Sequence, residues 1–258
     1  MSEIVNVIGS IKTKFVGIVE DEKIFRKEAN FAVQSLQSNN FLMSCATKNT
    51  QALQDAIVNV ASLGTTLNPS EKKAYLVPRG GKICLDISYM GLIDLAIKDG
   101  AIIFAEARVV RKNDNFKLNA IGEQPTHDFD CFASEESRGE IVGAYCVAKL
   151  PSGDYISDTI NLDDVERAMK TSESHKAFKS GKAKSSIWND FKDEMIRKTV
   201  VKRASKYWKG SSRLSNAISH LNIENGEGFN KNIIEYGDVK SIDSLLDKPV
   251  DCGNAFSN

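Results

Sequence analysis

Hydrophobic positions in the first quarter of the chain recur at helical spacing. Over residues 22–39, Ile24, Phe25, Ala29, Ala32, Val33 and Leu36 fall three and four apart and line one face of a helix. Leu53, Ile57, Val60 and Ala61 do the same over 50–63, with Thr50 as a candidate cap and Gly64 as the stop. The pattern then changes. Ala74-Tyr75-Leu76-Val77 and residues 82–87 are short apolar runs on either side of Pro78-Arg79-Gly80-Gly81, which predicts a β-hairpin. Residues 91–99 predict a helix ended by Gly100, and 101–111 a strand. Asn113-Asp114-Asn115 is turn chemistry, and 122–139 is polar enough for a loop or short irregular strands. A second hairpin is expected from 140–150 and 155–160 across Pro151-Ser152-Gly153-Asp154. Residues 162–170 predict a short helix with Asp163 and Asp164 near its positive end. Residues 171–186, rich in Ser, Lys and Gly, read as a mobile basic loop, and 187–209 as the longest helix.

Hairpins and helices in this mixture predict an α+β fold, a small antiparallel sheet flanked by helices. The composition is that of a globular protein: 258 residues, 41% hydrophobic, 17 Gly and 5 Pro, which excludes disorder and collagen-like or mucin-like chains. One domain over 1–213, with a helical N-terminal part, and a flexible acidic tail over 214–258 are expected. No run approaches the roughly 18 apolar residues of a membrane span. The apolar pattern over 4–19 is broken by Lys12 and Lys14 without a cleavage site, so the chain is expected to be neither spanning nor secreted. Five irregularly spaced cysteines, Cys45, Cys84, Cys131, Cys146 and Cys252, point to a reducing cytosol and no structural zinc.

Charge changes this picture. Lys+Arg and Asp+Glu balance at 34 each, yet residues 176–213 hold 12 cations against 3 acids, and 214–258 hold 3 Lys against 7 acids. Such asymmetry fits either a polyanion partner or a solvated basic helix balanced by acidic neighbours. On a helix over 187–209, Lys198, Lys202, Lys206 and Lys209 form one stripe, opposite Ile196, Val200, Ala204 and Tyr207. Extending the basic stripe backward meets Met195, Lys192, Phe191 and Trp188. Aromatic groups interleaved with cations suit single-stranded nucleic acid, whose bases stack on rings while Lys and Arg neutralise phosphates. The alternative places Trp188, Phe191 and Met195 in the core.

Catalytic chemistry finds little support. Gly80-Gly81-Lys82 lacks the upstream Gly of a phosphate-binding loop and is followed by Ile, and Gly181-Lys182 is followed by Ala. His127, His175 and His220 lie far apart, and neither a zinc-protease nor a nucleophile-elbow motif occurs. His127-Asp128-x-Asp130 could in principle hold a cation, but a polar loop gives such clusters by chance far more often than not, while Asp163-Asp164 and Glu135-Glu136 read as a helix start and a solvated turn. No catalytic residue, metal site or cofactor is expected.

Several stretches together resemble the RecT-type phage single-strand annealing proteins. They are Leu63-Gly64-Thr65-Thr66-Leu67-Asn68-Pro69, Ala74-Tyr75-Leu76-Val77-Pro78 with Gly81-Lys82, and Ser88-Tyr89-Met90-Gly91-Leu92-Ile93-Asp94-Leu95-Ala96. Ala107-Arg108-Val109-Val110 with Asp114 and Phe116, and Trp188 with Met195-Ile196-Arg197-Lys198-Thr199 and Lys206-Tyr207-Trp208, continue the likeness to about residue 210. The resemblance implies ATP-independent binding of single-stranded DNA and annealing of complementary strands in phage-type recombination. It further implies a Rad52-like annealing core, a homo-oligomeric ring or filament, a partner exonuclease and the cytoplasm of a bacterial host. The residues expected to contact DNA in a positive groove are Arg79, Lys82, Tyr89, Arg108, Arg111, Trp188, Lys192, Arg197, Lys198, Lys202, Arg203 and Lys206. Arg79 stands where the family usually has Phe, Met90 where it has Lys or Arg, and Phe191 comes one place early. Two rivals remain at this stage: a metal-dependent nuclease, and a protein whose basic helix docks an acidic protein partner.

Overall fold

The computed structural model describes residues 2–210 and 214–219. Five helices come first: α1 (Ser2–Ser10), α2 (Lys12–Val19), α3 (Glu22–Gln37), α4 (Asn40–Lys48) and α5 (Thr50–Leu63). The strands β1 (Ala74–Arg79) and β2 (Lys82–Ile87) form the first hairpin, and α6 (Tyr89–Lys98) follows. Then come β3 (Phe104–Arg111), β4 (Asn115–Lys117), β5 (Thr126–Asp128), α7 (Glu135–Arg138), β6 (Ile141–Lys149) and β7 (Tyr155–Asn161). The last elements are α8 (Leu162–Thr171), α9 (Glu173–Lys179), α10 (Ile187–Asp190) and α11 (Lys192–Ser205). All strand pairs are antiparallel, in three small sheets: β1-β2, β3-β6-β7 and β4-β5. The α+β expectation of hairpins flanked by helices holds.

Caps explain several helix starts. The side chains of Asp21, Asn39 and Asn49 accept from the first free N–H groups of α3, α4 and α5, and Asn161 and Asp164 close a capping box on α8. The loop after α5 is fastened from below. Thr66 Oγ1 and Leu67 N donate to the buried Glu28 carboxylate of α3 at 2.5 and 2.7 Å; burial raises this carboxyl despite the two hydrogen bonds. At the start of α6, Ser88 Oγ donates to Lys72 O at 2.6 Å and accepts from Gly91 N at 3.0 Å. This draws α6 so close to the loop before β1 that a Cβ on Gly91 would lie 2.2 Å from Lys73 O.

The two faces of the three-stranded sheet are used differently. Ala144, Cys146 and Ala148 of β6 belong to the main core with Ile196, Val200 and Ala204 of α11. Tyr145 and Val147 point to the other face and pack with Val110 and Phe116. There β4 and β5 are anchored by Asp114, which accepts from Arg138 at 2.7 and 2.9 Å, from Arg111 N at 2.8 Å and, at 3.1 Å, pairs with His127 Nε2. The His127 Nδ1 lies 3.3 Å from Tyr145 Oη, so the sheet itself completes the chain.

Three expectations need correction. Residues 171–186 are not one loop, because α9 forms within them and His175 is buried against the body. The helix over 187–209 is two helices, broken at Phe191 (φ −137°, ψ 52°) and ended at Ser205. Tyr207 is consequently exposed, and Trp208 takes the buried position expected of it. Residues 214–219 are helical, Leu214 and Ala217 are buried, and Leu214 N donates to Asp99 Oδ2 at 2.9 Å. The rest of the expected acidic tail, 220–258, lies outside the described residues.

Two outcomes test these anchors. Gly91→Ala must displace Lys73 O and should lower the unfolding free energy by about 1–3 kcal/mol, measured by denaturant titration. For Asp114, burial alone works to raise the carboxyl, but the bonds from Arg138, Arg111 N and His127 outweigh it and pull it from 3.8 down to about 2. A lowered folded-state value stabilises above the unfolded value and is lost as pH falls through the folded one. Between pH 5 and pH 2 the wild type should therefore lose about 2 kcal/mol more than Asp114→Asn. Parallel acid limbs in the two proteins contradict the assignment.

Candidate nucleic-acid interface

Strand β3 is an edge strand, and its free edge opens into a groove of about 520 Å3. Residues 105–109 form the floor, Tyr89, Met90 and Ile93 of α6 one wall, and Asp193 and Arg197 of α11 continue that wall. The opposite wall is Phe129, from the turn after β5, and Arg138 of α7. Arg108, Arg111, Arg138 and Arg197 thus face two carboxylates of the lining, Glu106 and Asp193. Phe129 lies close to two guanidinium groups, with Arg138 Cζ at 3.9 Å and Arg108 Cζ at 5.9 Å from its ring centre.

How each cation is already paired decides what it can offer an anion. Arg108 bonds Glu106 at 2.7–2.8 Å and Arg197 bonds Glu194 at 2.5 Å, and all four side chains are more than a third exposed. Exposed pairs of this kind are worth about 0–1 kcal/mol, so a phosphate can replace either carboxylate at little cost. Arg111 differs. It is 8% exposed and bonds Gly139 O at 3.2 Å, Glu135 at 3.2 Å and Asp193 at 3.5 Å, so it clamps β3 to α7 and α11 instead of facing solvent. Arg138 is similarly committed to Asp114, whose side chain is 1% exposed.

The other expected contacts separate into groups. Tyr89 lines the groove and donates its hydroxyl to Glu194 at 2.9 Å; burial, then that bond, raise its phenol above the ordinary value. Arg79 and Lys198 meet outside the groove on Asp86 of β2, at 2.9 and 3.1 Å, which links the first hairpin to α11. Lys82 is exposed at the hairpin turn and Lys192 at the start of α11. Lys202 is half-buried, and Lys206 is exposed at the cap of α11. Arg203 points to the opposite edge of the sheet, bonding Asp158 of β7 at 3.3 Å and Asp164 of α8 at 3.2 Å. Trp188 is 3% exposed and belongs to the core, because the break at Phe191 turns its ring inward. Phe191 is exposed. The structure thus gathers Tyr89, Arg108, Arg111 and Arg197 at one groove and disperses the rest.

Sequence reasoning missed Phe129 and Arg138. Both lie in the polar stretch read as a loop or short irregular strands, and the one available signal was that Arg138 is the single Lys or Arg of residues 122–139. Among the described residues, no group of three or more His, Cys, Asp or Glu side chains is arranged to hold a metal ion, which leaves the nuclease alternative without a site there. No described helix is long and apolar enough to cross a membrane.

Comparison with known proteins now places this geometry. The model of the RecT family matches residues 27–232, from within α3 to beyond the last described residue. Protein RecT of Escherichia coli (strain K12) is 29% identical over 180 residues, an alignment covering 66% of this chain and 62% of that protein. The chain therefore spans somewhat under two thirds of the length of that relative. With a family match over well more than half of its length, taking in every element that lines the groove, the chain belongs to the RecT family.

Proposed function

We propose that this protein binds single-stranded DNA along the free edge of β3 and anneals it to a complementary strand without nucleotide hydrolysis. The observation that carries the reading is the groove itself. Exchangeable cations at Arg108 and Arg197 flank an aromatic face at Phe129 and a phenol at Tyr89, on a chain of the RecT family. Sequence-tolerant binding needs this combination of backbone neutralisation and stacking. An annealing protein must also leave Watson–Crick edges free. Arg108 and Arg197 hold phosphates in this scheme, Phe129 and Tyr89 wedge or stack at intervals, and Lys198 with Arg79, Lys82, Lys192, Lys202 and Lys206 extends the positive track beyond the groove. Arg111 and Arg138 position their neighbours.

The same reading makes the protein a homo-oligomer, a ring or a filament, since annealing long strands requires many grooves in register. It works in the bacterial cytoplasm alongside an exonuclease that exposes the strands. The bound species are single-stranded DNA and the annealed duplex, with no cofactor.

Salt titration of oligonucleotide binding tests the assignment. Arg108→Ala and Arg197→Ala should each weaken binding about equally across sequences and reduce the log–log salt slope by roughly 0.7, the single-strand value per phosphate. Arg203→Ala, at the β7 edge away from the groove, should leave the slope unchanged. Unchanged slopes in both groove variants overturn the site. Failure of the wild type to convert two complementary strands into a protein–duplex complex without nucleotide overturns the activity.

A further inference from the structure

Two of the four arginines that line the groove are bound to a carboxylate supplied by their own element. Glu106 and Arg108 lie two apart on β3, so both side chains stand on one face of the strand, and Arg108 Nε and Nη2 meet Glu106 Oε1 at 2.8 and 2.7 Å. Glu194 and Arg197 lie three apart on α11, which makes them neighbours on the helix surface. The other two are held by carboxylates from other elements or loops: Arg111 by Glu135 and Asp193, and Arg138 by Asp114.

The Glu194 contact has the form of a phosphate site. One carboxylate oxygen, Oε1, accepts from Arg197 Nη1 at 2.5 Å, and the other, Oε2, accepts from the Tyr89 hydroxyl of α6 at 2.9 Å. A phosphodiester also presents two anionic oxygens on one atom, so it can take the same two donors. Arg197 Nε is buried and has no hydrogen-bond partner among the described residues. A buried donor left unmade is unfavourable, and a further phosphate oxygen would satisfy it.

We infer that Glu106 and Glu194 are phosphate surrogates: they hold Arg108, Arg197 and the Tyr89 hydroxyl in place for a phosphodiester, then compete with it, and so set how tightly a strand is gripped and how fast it leaves. The inference rests on the reading of this groove as the single-strand site. Each carboxylate is tethered beside its arginine, so its local concentration there does not fall with dilution. Glu106 and Glu194 are about half exposed, at 50% and 48%, which keeps the pairs weak enough for a phosphate to displace them. A loose grip suits annealing, because a strand held through its phosphates must shift along its complement until the bases match.

Binding and competitor-chased release of a fluorescent deoxythymidine oligonucleotide, measured on the full chain at fixed salt, test it. Glu106→Gln and Glu194→Gln preserve side-chain size, and the second keeps an oxygen for the Tyr89 hydroxyl. Each should bind about two- to fivefold more tightly than the wild type, as the loss of one exposed competing pair implies, with the gain appearing as slower release. That gain should vanish when the partner arginine is absent: Glu106→Gln should add nothing to Arg108→Ala, and Glu194→Gln nothing to Arg197→Ala. Affinity that stays level or falls in either Gln variant overturns the surrogates, and the groove stands as the site if Arg108→Ala and Arg197→Ala still weaken binding. A gain that persists without the arginine assigns the effect to net charge and overturns them equally. Should both Arg→Ala variants bind as the wild type does, the groove falls as the strand's site and the inference falls with it.

Discussion

The close seating of α11 on the three-stranded sheet is the contact on which the rest depends. The sheet face beneath the helix is built from small side chains, Ala144, Cys146 and Ala148 on β6 with Ala105 and Ala107 on β3, so Ile196, Val200 and Ala204 pack directly onto the strands. Burying side chains such as Ile196 and Val200 contributes about 1.5–3 kcal/mol each, and a larger residue at Ala144 or Ala148 would lift the helix off. Burial pushes the Cys146 thiol up to about 12, so at neutral pH it packs as an apolar group. With the helix pinned, Arg197 is delivered to the groove, Lys198 to Asp86 on the first hairpin and Arg203 to Asp158 and Asp164 at the β7 edge. One helix thus distributes its cations to three neighbours.

Pairing then divides the cations into anchors and contacts. Asp114 and the Arg111 clamp are buried and hydrogen-bonded on several sides, where breaking one partner leaves a charge stranded. The Arg108–Glu106 and Arg197–Glu194 pairs are solvated and exchange their carboxylate at little cost. A groove made this way has rigid walls and available charge together. One wall comes from the segment between β5 and β6, which carries Phe129 and Arg138.

Local periodicity made much of the scaffold legible before any coordinates. The helices α3, α5 and α6 and both hairpins fall where apolar spacing and turn residues put them, because each has a local signal at both ends. The break at Phe191 has no such mark, being neither Gly nor Pro, and it sends Trp188 into the core and Phe191 to solvent. Helices α1, α2 and α4 are short and gain their stability from packing against α3 and α5, which spacing in a single segment does not register. The site was half legible. Tyr89, Arg108 and Arg197 sit in stretches that carry the family likeness, whereas Phe129 and Arg138 reach the groove only through the buried Asp114–His127–Tyr145 chain, a non-local arrangement.

Photocrosslinking with oligonucleotides carrying halogenated deoxyuridine, mapped by peptide mass spectrometry, tests most directly whether the β3 edge is where a strand lies. Crosslinks are expected at Phe129 and Tyr89, the two aromatic groups on facing walls of the groove. Crosslinks confined to residues 174–191, with none at the groove, would contradict the account.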